Sequence, residues 1–173
     1  MNSTIDTILQ RVSVRTFKED KVPREDLELI IKAAMAAPTA VNKQPWEFVV
    51  IDNTALLFEL GSLLPYAKMT KFAPAAIVVC GNQKNMLDGW EESFWIQDCS
   101  AATQNILLAI ESLNYGAVWT AVYPDISRIH IVKRILELPE HIVPLNVIPL
   151  GVPDQKSSSK DKYDESKIHI NKW

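Results

Sequence analysis

The chain has 173 residues, 47% hydrophobic and 23% charged. That is about one domain's length at a globular composition, which excludes disordered, collagen-like and low-complexity classes. Eighteen basic against 21 acidic residues give a formal net charge of −3, so no bulk field draws the chain to nucleic acid or to an anionic membrane, and any bound anion must be held by a local cluster. Two cysteines, Cys80 and Cys99, and three scattered histidines, His130, His141 and His169, form neither a disulfide framework nor a metal-ligand spacing. Such usage suits a reducing compartment.

The opening residues M-N-S-T-I-D-T-I-L-Q lack a basic start followed by an apolar run, so no secretory signal is expected. No stretch of about 20 apolar residues is available to span a bilayer. A soluble, cytoplasmic protein is expected. A first helix starts at Ser3 or Thr4, with Ile5, Ile8 and Leu9 on one face. A second starts near Pro23, with Glu25 and Asp26 favouring its dipole and Pro38 stopping it. Residues 37–45, A-P-T-A-V-N-K-Q-P, have the composition of a loop. Trp46 to Asp52 reads as a strand, followed by a helix capped near Asn53. Ala75 to Cys80 is a continuous apolar strand, and its lack of alternation predicts burial on both faces.

A polar connection, 83–92, leads to a long helix from about Ser93 to Leu113, ending at Asn114-Tyr115-Gly116. Ala117 to Val122 reads as a strand, Asp125 as the cap of a helix through Leu138, and Val143 to Leu150 as a strand that Pro144 and Pro149 should place near an edge or bend. From about 154 the chain is polar until Ile168, Ile170 and Trp173, the pattern of a tail docked on its own chain or on a partner. Helices and strands mix throughout, with no internal repeat and no second boundary. A single layered α+β or α/β domain over 1–173 is expected.

Arg11, Ser13 and Arg15 alternate after the first helix and share a face if the backbone is extended. Two guanidiniums flanking a hydroxyl can hold a phosphate. The same pattern also describes a solvated basic turn capped by serine. Thr39, Asn42 and Gln44 present donors and acceptors that suit the edge of a planar heterocycle, or ordinary loop bonding between two prolines. Lys160 and Lys162 flank Asp161 and can add point charges to a phosphate or form a solvated charge run. Trp119 reads first as core, and Trp90 and Trp95 can cover a flat ligand or pack in a core or interface. Phosphate-binding glycine loops, zinc-protease and serine-nucleophile motifs are absent, so chemistry here would come from a bound cofactor.

Four segments in order, R-V-S-V-R-T-F at 11–17, A-P-T-A-V-N-K-Q-P-W at 37–46, G-A-V-W-T at 116–120 after the long helix, and P-L-G-V-P at 149–153 followed by K-D-K-Y, resemble the nitroreductase family of FMN-dependent oxidoreductases. The resemblance covers nearly the whole chain and is to the shorter members. It implies a three-layer α+β fold, a mixed sheet flanked by helices, in an intertwined homodimer. FMN would sit at the interface, two per dimer, and the C-terminal tail would wrap the partner.

Carried over by position, Arg11 and Ser13 match residues that hold the phosphate and ribityl end. Arg15 matches a basic position toward the pyrimidine side, where a cation would stabilise charge on the reduced ring. Pro38, Thr39, Ala40, Asn42 and Gln44 match a loop that reaches the flavin from the other subunit. Val118, Trp119 and Thr120 match a segment near the ring, partly through backbone groups, and Lys160 and Lys162 a basic pair at the phosphate. Thr39-Ala40 stands where Ser-Gly or Ser-Ser is common, and Lys162 where Arg is frequent. The implied function is hydride transfer from NADH or NADPH through FMN to a small acceptor such as a nitroaromatic or quinone. Neither a catalytic side chain nor a metal is required. The alternatives are another flavin chemistry of the family (dehalogenation or flavin cleavage), a non-enzymatic flavin binder, or a plain interaction domain.

Overall fold

Strand β2 (Ala75–Asn82) is buried along almost its whole length, and the rest of the architecture follows from covering both its faces. The computed structural model describes residues 3–155 and 158–173. On one side β2 pairs antiparallel with β1 (Trp46–Ile51), from Trp46 opposite Gly81 to Ile51 opposite Ala76. On the other it pairs antiparallel with β5 (Ile142–Gly151). Two short strands, β3 (Gly116–Ala117) and β4 (Thr120–Ala121), pair with the far side of β5. The order is β1-β2-β5-β3, with β4 beside β3 on β5. These ladders are antiparallel, and an isolated parallel bridge between Ser13 and Ala117 makes the sheet mixed.

Successive β2 side chains point to opposite faces. Ala75, Ile77 and Val79 join a core with Leu27, Ile30 and Ala34 of helix α2 (Arg24–Met35) and Cys99, Ala102, Ile106 and Ile110 of helix α4 (Phe94–Ser112). Ala76, Val78 and Cys80 join a second core with Leu57 and Leu60 of helix α3 (Thr54–Leu63) and Val132 and Ile135 of helix α5 (Ile126–Ile135). The expected three layers are present. Burial pushes both thiols up, Cys80 to about 12, and neither cysteine forms a disulfide.

Local chemistry sets the ends of the elements. Asn53 accepts from the N–H groups of Ala55 and Leu56, and Asp125 from that of Arg128. The end of α4 is closed by Asn114 in the left-handed region (φ 63°), with the Tyr115 N–H returning to the Ile110 carbonyl. Helix α5 stops at Ile135, short of the expected Leu138. Glu137 turns left-handed (φ 51°) and the Leu138 N–H closes on the Lys133 carbonyl, the same termination.

Two further expectations are corrected. The strand expected over 117–122 is split into β3 and β4, because Pro149 of β5 has no N–H to complete the ladder opposite Val118. The Val118 N–H reaches the Pro149 carbonyl only at 3.4 Å. Strand β5 is central rather than at an edge. It is bent where the register shifts opposite Val79 and Cys80, beside Pro144.

Helix α1 (Ser3–Gln10) has no buried residue, and its apolar face of Ile5, Ile8 and Leu9 is exposed. Residues 158–173 of the tail are exposed as well. Among the described residues, no helix is long and apolar enough to cross a membrane.

Two contacts fix how the amino-terminal segment meets this frame. The Tyr115 hydroxyl donates to Asp26 Oδ2 at 2.7 Å, tying α2 to the end of α4. A Cβ built on Gly116 would lie 2.6 Å from Val14 Cγ2, so glycine alone lets residues 11–15 lie against β3. Tyr115→Phe should cost about 1.5–3 kcal/mol, because it deletes a hydrogen bond to a charged acceptor. The Asp26 bond, then burial, raises the Tyr115 phenol to about 12. Its contribution is therefore intact below pH 10 and lost as pH rises through about 12. Denaturant titrations at pH 8 to 12 should show a larger loss in the parent than in the variant, so that the difference between them shrinks as pH approaches 12. Gly116→Ala should destabilise by about 1–3 kcal/mol in the same assay, since Val14 must be displaced.

Candidate functional site

Residues 11–18 run as a clasp between two parts of the sheet. The Val14 N–H donates to the Ala117 carbonyl at 2.9 Å, the Lys18 N–H to the Val152 carbonyl at 2.9 Å, and the Asp154 N–H returns to Thr16 at 3.1 Å. Three of the four sequence segments thus meet in space. Val14 is buried while Ser13 and Arg15 are exposed, the alternation of extended backbone.

Beyond the clasp the chain curls back, and residues 158–163 close a cleft of about 750 Å³ against Ile8, Leu9, Arg11, Val12 and Ser13. Lys160 and Lys162, some 150 residues from Arg11 in sequence, line the same cleft. So do Ser158, Ser159, Asp161 and Tyr163. Asp161 Oδ1 is engaged by the Tyr163 N–H at 2.9 Å. Three cations and three serine hydroxyls around one opening suit a phosphate monoester. Arg15 is exposed and does not line this cleft.

Glu111, which no local sequence signal marks, supports the clasp from α4. Its carboxyl accepts the Val12 N–H and faces the charge of Arg11. Burial raises its pKa, a shift the Arg11 charge and the Val12 N–H only partly offset.

The loop at 38–44 lies at the other end of α4. Pro38, Asn42 and Gln44 are exposed, and Thr39 and Ala40 half-buried. Val41, Asn42 and Gln44 all have positive φ, 43°, 57° and 49°. For Val41, β-branched and 79% exposed, that conformation costs of order 1–3 kcal/mol. Thr39 Oγ1 accepts from the Gln44 N–H, and Gln44 Nε2 donates to Asn42 Oδ1, each at 3.1 Å. Asn42 Nδ2 and Gln44 Oε1 remain, one donor and one acceptor, on the exposed side.

Asp98 on α4 accepts the Ala40 N–H at 3.0 Å. It is buried, and burial raises its carboxyl while the Ala40 bond opposes the shift. Nothing local in the sequence marks Asp98, because its partner is 58 residues away. Asp98 and Glu111 stand thirteen residues apart on one helix, about 20 Å at 1.5 Å per residue.

At the third position, the Thr120 hydroxyl donates to the Val147 carbonyl at 2.6 Å, and both Val118 and Thr120 are buried. Trp119 is half-buried against the α4 core. A ligand contact from this segment has to come from backbone groups or the free side of Trp119. Trp95 is buried edge-on to Tyr123, whereas Trp90 is exposed and meets Phe94 edge-on at 6.0 Å.

The model of the nitroreductase family matches residues 8–64 and 60–152. A protein of Methanothermobacter thermautotrophicus is 42% identical over 98% of this chain and 87% of its own length. A crystal structure from Parabacteroides distasonis is 47% identical, covers 100% of both chains and has a TM-score of 0.94. Both carry the name "Putative NADH dehydrogenase/NAD(P)H nitroreductase". The structure of an FMN-dependent nitroreductase from Clostridium difficile is 26% identical, covers 98% of this chain and 99% of that one, and has a TM-score of 0.90. With the clasp, the basic cleft and the strained loop on one such frame, this chain belongs to the nitroreductase family.

Proposed function

We propose that the chain is an FMN-dependent, NAD(P)H-using oxidoreductase that works as a homodimer in the cytoplasm, the whole of 1–173 serving as one domain. The carrying observation is the convergence of Arg11, Ser13, Lys160 and Lys162 on a single cleft, in a chain of net charge −3. That donor set fits the phosphate of FMN. When bound, FMN supplies the redox chemistry, taking a hydride from NADH or NADPH and passing two electrons to an acceptor such as a nitroaromatic or quinone.

The side chains bind and orient. Arg11 and the two lysines neutralise the phosphate, and Ser13 adds a hydroxyl beside it. Arg15 faces solvent farther along the same extended segment and supplies a cation for the pyrimidine side. Thr39, Ala40, Asn42 and Gln44, with Pro38 at their base, present amide groups to the ring edge. Val118, Trp119 and Thr120 border the ring through backbone. Within one chain the cleft and this loop are anchored at opposite ends of α4, which supports a site closed by two copies, the loop of each serving the cleft of the other. The exposed apolar residues of α1, with Ile168, Ile170 and Trp173 of the tail, supply surface for such a partner.

An anaerobic absorbance spectrum of purified protein, taken before and after NADH or NADPH, tests the assignment. A flavin band that bleaches on addition is expected. Colourless protein that takes up no added FMN would refute it, and a band that persists with both nicotinamides would leave only a binder. Arg11→Ala should lower FMN affinity tenfold or more, of the order of one charged hydrogen bond, and should steepen no salt dependence. The loss should fall on flavin occupancy rather than on the reduction rate per bound flavin, measured by stopped-flow. Full occupancy in that variant would remove Arg11 from the site.

A further inference from the structure

We infer that Asp98 is a positioning residue for the cofactor loop: by holding the Ala40 N–H it sets the left-handed turn that presents Thr39, Asn42 and Gln44 to the flavin. The inference rests on the FMN assignment proposed above. Ala40 opens a single 3₁₀ turn, Ala40–Asn42, so its N–H has no carbonyl behind it within the turn and needs an acceptor from elsewhere. Asp98 Oδ1 supplies one at 3.0 Å.

The fold alone gives little reason for a carboxylate there. Asp98 is 7% exposed and lies next to Cys99 and one turn from Ala102 on the buried side of α4. No ion pair among the described residues includes it. A buried carboxylate without a cation is unfavourable unless its hydrogen bonds compensate. An apolar residue would serve the helix packing better. What Asp98 does that an apolar residue cannot is fix the first N–H of a turn whose next two residues, Val41 and Asn42, are left-handed. Such strained backbone persists only where its surroundings over-determine it. The bonds within the loop, Gln44 N–H to Thr39 Oγ1 and Gln44 Nε2 to Asn42 Oδ1, shape the turn but do not attach it to the frame. Asp98 attaches it, and so determines where the remaining amide donor and acceptor point.

The test is a titration of flavin-free protein with FMN, read by quenching of flavin fluorescence and by the visible circular dichroism of the bound flavin. The parent is compared with Asp98→Ala, Asp98→Asn, Ala40→Pro and Arg11→Ala. Asp98→Ala should weaken FMN binding roughly tenfold and alter the dichroism. Asp98→Asn keeps an acceptor oxygen and should stay within about threefold of the parent. Ala40→Pro deletes the donor instead. Thr39 before it is extended (φ −137°, ψ 155°), the conformation that proline favours in its predecessor. It should reproduce Asp98→Ala, and the double variant should be little worse than either.

Unchanged affinity in Asp98→Ala and Ala40→Pro, or equal loss in the alanine and asparagine variants, would overturn the role. If Arg11→Ala loses FMN while those two do not, Asp98 is wrongly assigned and the flavin site stands. If the parent itself takes no FMN, both fall. Should Asp98→Ala fail to fold, Ala40→Pro and Asp98→Asn decide the matter between them.

Discussion

Helix α4 is the support on which the candidate site depends, through two carboxylates that each accept a backbone N–H from a distant segment. Asp98 takes that of Ala40 near one end and Glu111 that of Val12 near the other. The helix lies against β2 and is buried along the face carrying Cys99, Ala102, Ile106 and Ile110, so neither carboxylate can shift without disturbing a close-packed core. Segments that by composition are loops thereby acquire the rigidity of the frame, which a site for a large planar cofactor requires. The same arrangement separates them by about 20 Å along the helix. That separation is the feature on which the proposed two-copy site rests. The uncovered apolar residues of α1 and of the tail are surface that the proposed partner would cover.

Electrostatics act here at short range. The chain as a whole is weakly acidic, yet Arg11, Lys160 and Lys162 share one cleft. Bringing three cations together is unfavourable without an anion; Asp161 lines the same cleft between the two lysines, and Glu111 faces Arg11 from α4. The serines around the opening add hydroxyls without charge. Lysines in place of a guanidinium fork make the tail half of the cleft a set of point charges, strong but undirected. Direction comes from Arg11 and Ser13, whose backbone is tied down at Val14, Lys18 and Thr16.

Much of the frame was legible because it obeys local rules. Continuous apolarity in β2 announced burial on both faces, Asn53 and Asp125 announced helix starts, and Asn114 before Gly116 announced the end of α4. What was not legible depended on partners far away in sequence. Pro149 reads as a strand breaker, but it is Val118, across the sheet, that loses its pairing. Pro144 and Pro149 suggested an edge or a bend; the bend is there, but β5, the last strand in sequence, inserts between β2 on one side and β3 and β4 on the other and is central. Glu137 carries no signal for a left-handed turn, nor does Val41. Asp98 and Glu111 inside a helical pattern look like solvated acids until the N–H groups they hold are seen. Of the site, the residue types in each segment could be read locally, whereas the convergence of Arg11 with Lys160 and Lys162 was implied only by the family resemblance.

Where the chain departs from those rules is itself informative. Most of the core has ordinary caps, left-handed helix terminations and alternating faces that agree with the fold. Pro144 of central β5 and the buried Thr70 Oγ1 and Asn146 Oδ1, unpaired among the described residues, depart from those rules outside the segments of the site. Other departures fall on the segments of the site: a β-branched residue held at positive φ in the exposed loop, a buried carboxylate in no ion pair among the described residues, and a partly buried glutamate facing Arg11. The proposed cofactor site gives these a common reason, because it needs an anion clamp near one end of α4 and a fixed amide loop near the other.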